Sequence, residues 1–342
     1  MIQRIQKLNR GQRTIIFILM FGGGAFLLFA AALTGILLTY NASPRVSSTA
    51  LVENMTVAEF VQLPDDDAYP ATVEVDMTGN IYTASYVSGT VWRISPEGAI
   101  TELPGTRDQF GAVTALSINP EGAIFVLDRV DSDFRAQGGI IWRMSPTGEI
   151  SEFGRIDDTT GFVAPDDLAI DLNGNVYVSD RGRREVWRFD NEGVGALWWV
   201  VPPDVIDFEQ VIATGLAYDP SNPSIIITDP ETDAVFRVSL DGQTTETLYR
   251  NDDAADTPAY DGVTISPDGV IYLAGLGDNS VSRLRNGEMT IIANRFRGSS
   301  DVALYGNRLY VTNFDQRSLA PPPGLRPRLP FGLDVVNLGD AN

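Results

Sequence analysis

The chain has 342 residues, 44% of them apolar and 20% charged, enough to bury a sizeable core and inconsistent with disorder by composition. Its formal net charge of −20 disfavours nucleic acid and anionic lipid headgroups as partners of the globular part. Cys and His are absent and Lys7 is the only lysine, which excludes disulfides, thiol and Ser–His–Asp catalysis, Cys/His zinc sites, and a lysine Schiff base outside the N-terminal segment.

Residues 1–13 hold Arg4, Lys7, Arg10 and Arg13 and no acid, so the remainder carries −24. Residues 14–40 follow without a charge, a stretch longer than the ~20 residues needed to span a bilayer. No small-x-small cleavage site follows it cleanly, so it reads as an uncleaved signal anchor. The positive-inside rule places residues 1–13 in the cytoplasm and the rest outside a plasma membrane crossed once. The anchor is rich in small residues, among them Gly22, Gly23, Gly24, Ala31 and Gly35. Small side chains let a second membrane helix approach closely, which points to other membrane-protein subunits as partners, besides the lipid bilayer itself. Residues 41–56 read as a linker.

From residue 57 to 342 the sequence repeats itself. The clearest copy is APDDLAIDLNGNVYVSDRGRREVWRFDNEG, beginning at Ala164. LAID, NVYVSD and EVWRFD alternate with a period of two and are separated by turn residues, which predicts strands. Turn residues at Gly79, Gly122, Gly174, Asn222, Gly269 and Gly306 are spaced by 43, 52, 48, 47 and 37 positions. That is the period of a four-stranded propeller blade, so the expected fold is an all-β, six-bladed β-propeller with one N-terminal transmembrane α-helix. The 52-residue gap contains DRVDSDFRAQGG, expected as an insertion that makes the second-to-third-strand loop of blade 2, around residues 130–138, the longest of its kind. FGLDVVNL after the Pro-rich segment 319–330 is expected as the third strand of blade 6. VAEFVQL at 57–63 then becomes the fourth, closing the ring.

The repeat resembles the NHL-repeat, gluconolactonase, regucalcin-like and strictosidine-synthase-like propellers over roughly residues 60–340. In the lactonase-like members the resemblance implies a divalent cation at the channel mouth, held by a Glu, two Asn and an Asp. Oxygen ligands of that kind suit Ca²⁺. Here Ala71 or Thr72 stands near the Glu position, blade 2 offers no Asn, and Thr214 takes the place of another. Asp261 keeps the acid. Asp166, Asp167 and Asp301 also begin inner strands, and with Asp261 they are the candidate metal ligands, expected together at one channel mouth.

Asp128, Asp180 and Asp229 end second strands and, with Arg129, Arg181, Arg183 and Arg184, outline a mixed-charge rim suited either to local ion pairs or to docking a partner. An arginine recurring once per blade, at 93, 143, 188, 237 and 283, is architectural, as are Trp92, Trp142, Trp187 and Phe236. The unrepeated pair Trp198-Trp199 is either blade packing or an exposed contact. Leu325 and Phe331 in the Pro-rich tail are expected to lie on a partner.

Three readings follow. The first is a non-catalytic binding or assembly subunit of a larger membrane complex, without a cofactor. Respiratory and photosynthetic complexes are candidate hosts alongside transport and envelope machinery. The second is a Ca²⁺-dependent, lactonase-like hydrolase, and the third an envelope carbohydrate or ligand sensor.

Overall fold

The computed structural model describes residues 23–35, 47–133, 135–200, 212–251, 257–319 and 327–339. The chain divides into two units, one comprising residues 1–45 with 317–328 and the other residues 46–316 with 329–342. Of the first unit, residues 23–35 form a helix with Phe26, Leu27, Leu28 and Phe29 each about 70% exposed. Among the described residues no helix is long and apolar enough to cross a membrane. Gly23, Gly24 and Gly35 lie in this helix, with no atom of the described residues within 4 Å of where a side chain would stand, and Ala31 is exposed. Gly22 and Leu325 fall outside the described residues.

The second unit is a six-bladed propeller. Blade 1 runs Pro70–Val75, Ile81–Ser85, Val91–Ile94 and Ile100–Glu102, paired in that order. Blades 2 to 5 begin with the inner strands Val113–Ile118, Pro165–Ile170, Leu216–Asp219 and Tyr260–Ile265 and repeat the antiparallel meander. Blade 6 takes its first three strands from Val302–Tyr305, Arg308–Thr312 and Gly332–Asn337, and its fourth, Thr56–Gln62, from the other end of the chain. The ring therefore closes as the sequence predicts, and a short strand, Thr49–Ala50, adds a fifth member to blade 5. A blade cannot bury both faces alone, so the apolar core lies in slabs between neighbouring blades. Tyr177 and Val186 of blade 3 pack with Ile225 and Phe236 of blade 4, and Phe125 and Leu127 of blade 2 with Val176 and Val178 of blade 3.

Turn chemistry repeats with the blades. The residue ending the inner strand's register, Asp76, Asn119, Asp171 or Asp219, accepts backbone N–H bonds from the turn that follows. These local bonds replace the ladder where the chain reverses. The insertion in blade 2 sits between Asp128 and Ile140, as expected. It is not the longest connection of its kind, because residues 313–331 join the second and third strands of blade 6. The Pro-rich stretch lies within that connection, where prolines cannot supply ladder donors.

Candidate functional site

In blades 1, 2, 3 and 5 the pairing of inner and second strands slips at the start of the inner strand, between Pro70 and Thr72, Val113 and Ala115, Pro165 and Leu168, and Tyr260 and Val263. A bulge at that point re-aims the side chains it contains. In blades 3 and 5 those include Asp166, Asp167 and Asp261. Together with Asp301 of blade 6 they line one mouth of the central channel, so all four candidate acids meet where the sequence places them.

Their hydrogen bonds separate them into two kinds. Asp301 accepts from Thr72 Oγ1 at 2.9 Å and from the Val73 amide at 2.8 Å, tying blade 6 to blade 1, and its other oxygen accepts from the Val302 amide. Asp167 does the same between blades 3 and 4, accepting the Leu216 amide at 2.7 Å and the Leu168 amide at 2.7 Å. Thr72 continues the series by accepting the Leu116 amide of blade 2. At the equivalent position blades 4 and 5 carry Gly215 and Gly262, where the neighbouring backbone comes too close for a side chain. A methyl at Gly262 would meet Ser300 O at 2.7 Å and also Asp301 Oδ1.

Asp166 and Asp261 sit one position nearer the rim. Arg181 reaches toward them, its Nε 3.8 Å from Asp166 Oδ1. Asp166, first, and Asp261 hold the Arg181 guanidinium more firmly protonated than usual. Burial, and then the charge of Asp166, raises the Asp261 carboxyl well above its ordinary range. Burial likewise raises Asp301 to about 7, and burial followed by the Asp301 charge raises Asp167. Further along the bore Glu74 is pushed up to about 8, again chiefly by burial. Glu74, Asp167 and Asp301 line a wider cavity of about 310 Å³ that continues the channel.

Beside Arg129 and Arg181 of the expected rim, the mouth is completed by residues that sequence reasoning did not assemble. Tyr86, Arg129, Leu276 and Phe314 line it with Arg181. Arg129 is 3% exposed, and its Nη1 donates to Tyr86 Oη at 3.3 Å, while Tyr86 and Phe314 pack edge to face. A recurrent signal was available. Tyr86, Arg129, Arg181 and Phe314 each directly follow the residue that ends or caps a second strand: Ser85, Asp128, Asp180 and Asn313.

Several expectations change. Asp128, Asp180 and Asp229 do not form a rim, since all are buried and accept backbone amides from the segment entering the inner strand, such as Val163 and Ala164 on Asp180. Arg183 is engaged within blade 3, bonded to Asp158 at 2.9 Å and Glu185 at 2.7 Å and stacked over Trp187, whereas Arg184 is exposed. Trp199 is 3% exposed and packs on Phe236, and Trp198 stands edge-on to Tyr177, so the Trp pair seals blades 3 and 4 rather than facing outward. Phe331 is fully buried against Tyr69 rather than lying exposed in the tail. Among the described residues, no three carboxylates stand together in a way that could hold a metal ion. The reason lies in the bonding just described: Asp167 and Asp301 direct their oxygens to backbone amides, and Asp166 faces a guanidinium.

No known protein family matches this sequence, and no curated protein matches it. Solved structures do. Virginiamycin B lyase from Staphylococcus aureus is similar with a TM-score of 0.59 and 12% identity, over 83% of this chain and 99% of that one. A gluconolactonase from Xanthomonas campestris is similar with a TM-score of 0.59 and 11% identity, over 86% of this chain and 99% of that one. A putative gluconolactonase has a TM-score of 0.59 and 13% identity, over 85% and 97% of the two chains. At such identity the likeness is one of fold: this is a six-bladed propeller of the type those lyases and lactonases share.

Proposed function

We propose that the chain is a non-catalytic binding and assembly subunit, anchored by residues 14–40 in a membrane and presenting its propeller on the outer side to a larger complex. One observation carries this reading. Three of the four acids at the channel mouth are already committed, Asp167 and Asp301 to the amides of neighbouring blades and Asp166 to Arg181. A protein cation thus stands beside the carboxylates at the mouth, which disfavours a second positive charge there. The uncharged stretch 14–40 and the open apolar side chains of the helix over 23–35 support an anchor that packs against lipid or another helix. The test is calcium calorimetry on the full chain in mild detergent, alongside a panel of lactones. Neither calcium binding nor hydrolysis is expected.

A Ca²⁺-dependent hydrolase is the second reading, favoured by the gathering of Asp166, Asp261 and Asp301 at the mouth of a fold that gluconolactonases share. In that chemistry Ca²⁺ would polarise a carbonyl and Asp261 would be the acid–base group. Calcium-dependent lactone hydrolysis that disappears in Asp261→Ala would establish it and displace the assembly reading.

A further inference from the structure

Blades 1, 3 and 4 repeat a small polar unit at the end of the inner strand remote from the channel mouth, whereas blade 2 has Asn119 and Phe125 there. In blade 1 the Tyr82 hydroxyl donates to Asp76 Oδ2 at 3.1 Å, with Arg93 opposite Tyr82 in the sheet. In blade 3 the Tyr177 hydroxyl donates to Asp171 Oδ2 at 3.2 Å, with Arg188 opposite Tyr177. Blade 4 lacks the tyrosine but keeps the charge pair, Arg237 lying 3.4 Å from Asp219. Each unit therefore sets a turn carboxylate against an arginine, a tyrosine, or both. One oxygen holds the turn and the second meets the hydroxyl or the guanidinium.

Blade 5 keeps Tyr272 and Arg283 in the same register but has Ser266 at the carboxylate position. The serine hydroxyl still holds the turn, accepting the Val270 amide at 3.0 Å and donating to Asp268 at 2.6 Å. It has no second oxygen to offer. Among the described residues no carboxylate forms an ion pair with Arg283. At this place there is a cavity of about 320 Å³, lined by Ser266, Tyr272, Arg283 and Arg285, and walled by residues 52–55 and 338–339. Glu53 and Asp268 also line it, both exposed, with Asp268 held by the Ser266 hydroxyl, while Arg283 is half-buried and Tyr272 is buried.

We propose that this cavity between blades 5 and 6 binds a small organic carboxylate, whose carboxyl group takes the place that Asp76 and Asp171 fill in blades 1 and 3. A guanidinium presents its donors as a planar fork that a carboxylate can meet with both oxygens, and the neighbouring phenol adds a further donor. The remaining volume accommodates a chain of several carbon atoms. Because residues 52–55 lead from the anchor side into the closing strand, the ligand would contact the segment that joins the two ends of the propeller.

The experiment is calorimetric titration of the full chain in detergent with acetate, succinate, citrate and inorganic phosphate. Saturable one-site binding of succinate or citrate is expected, weaker by at least about tenfold in Arg283→Gln and in Ser266→Asp. Ser266→Asp supplies the missing oxygen internally, so it should also raise the melting temperature without ligand, while Ser266→Ala retains binding. The proposal is overturned by absence of saturable binding to any carboxylate, by phosphate binding as tightly, or by unaltered affinity in Ser266→Asp.

Discussion

Asp167 and Asp301 occupy equivalent places in blades 3 and 6, and their chemistry is that of hydrogen-bond acceptors for the next blade's backbone. Removing either side chain leaves buried amides without an acceptor, which costs about 2 kcal/mol. Asp167→Ala and Asp301→Ala should therefore lower the denaturation midpoint clearly. Asp261→Ala should change it little, because that carboxyl is disfavoured by burial and by Asp166. Equal losses in all three would contradict this division. The raised carboxyls also give stability a pH dependence. Glu74, ordinarily 4.5, stands at about 8 and Asp301 at about 7, so between about pH 5 and pH 8 the folded chain holds protons that the unfolded chain has released. Stability is greatest at the acidic end of that window and declines as pH rises through the folded values. Thermal melts across the window should show this decline, and Glu74→Gln should flatten it. The convergence of the four acids was legible in the sequence because all begin inner strands, and the inner strands of a propeller line one channel. Their use was not, since their partners Val73 and Leu216 belong to other blades and no local pattern names them.

At the scale of elements, the blades were legible because turn residues recur with them and apolar residues alternate between. Closure was legible too, from two strand-like segments left over at opposite ends. What the pattern did not settle was which outer-strand residues face a neighbouring blade. Trp198 and Trp199 read as either exposed or packed until their neighbours in blade 4 are known, and Phe331 follows a Pro-rich run yet enters the core. The closing strand gives a direct check on the ring. Val61 lies in it, 8% exposed, whereas Leu197 lies in the fourth strand of blade 3 and is 51% exposed. Val61→Asp should destabilise by about 3 kcal/mol or more, through an unpaired buried charge at the seam. Leu197→Asp should stay within ~0.5 kcal/mol. Chemical denaturation of both variants measures the difference, and similar midpoints would argue against a ring closed by residues 56–62.

For the whole molecule, the propeller is strongly acidic, a guanidinium stands beside the acids at its channel mouth, and residues 14–40 are uncharged and rich in small residues. These features suit a subunit that is held in place rather than one that turns over a substrate. Among the described residues nothing stands beside Gly23 or Gly24, so leucine at both positions tests a close approach by a helix that a partner would bring. The most direct measurement is native mass spectrometry of the full chain extracted from its own membranes in mild detergent. Stoichiometric companion subunits, no retained calcium, and loss of those companions in the Gly23→Leu, Gly24→Leu double variant are expected. A lone chain carrying a calcium ion would contradict the assembly reading.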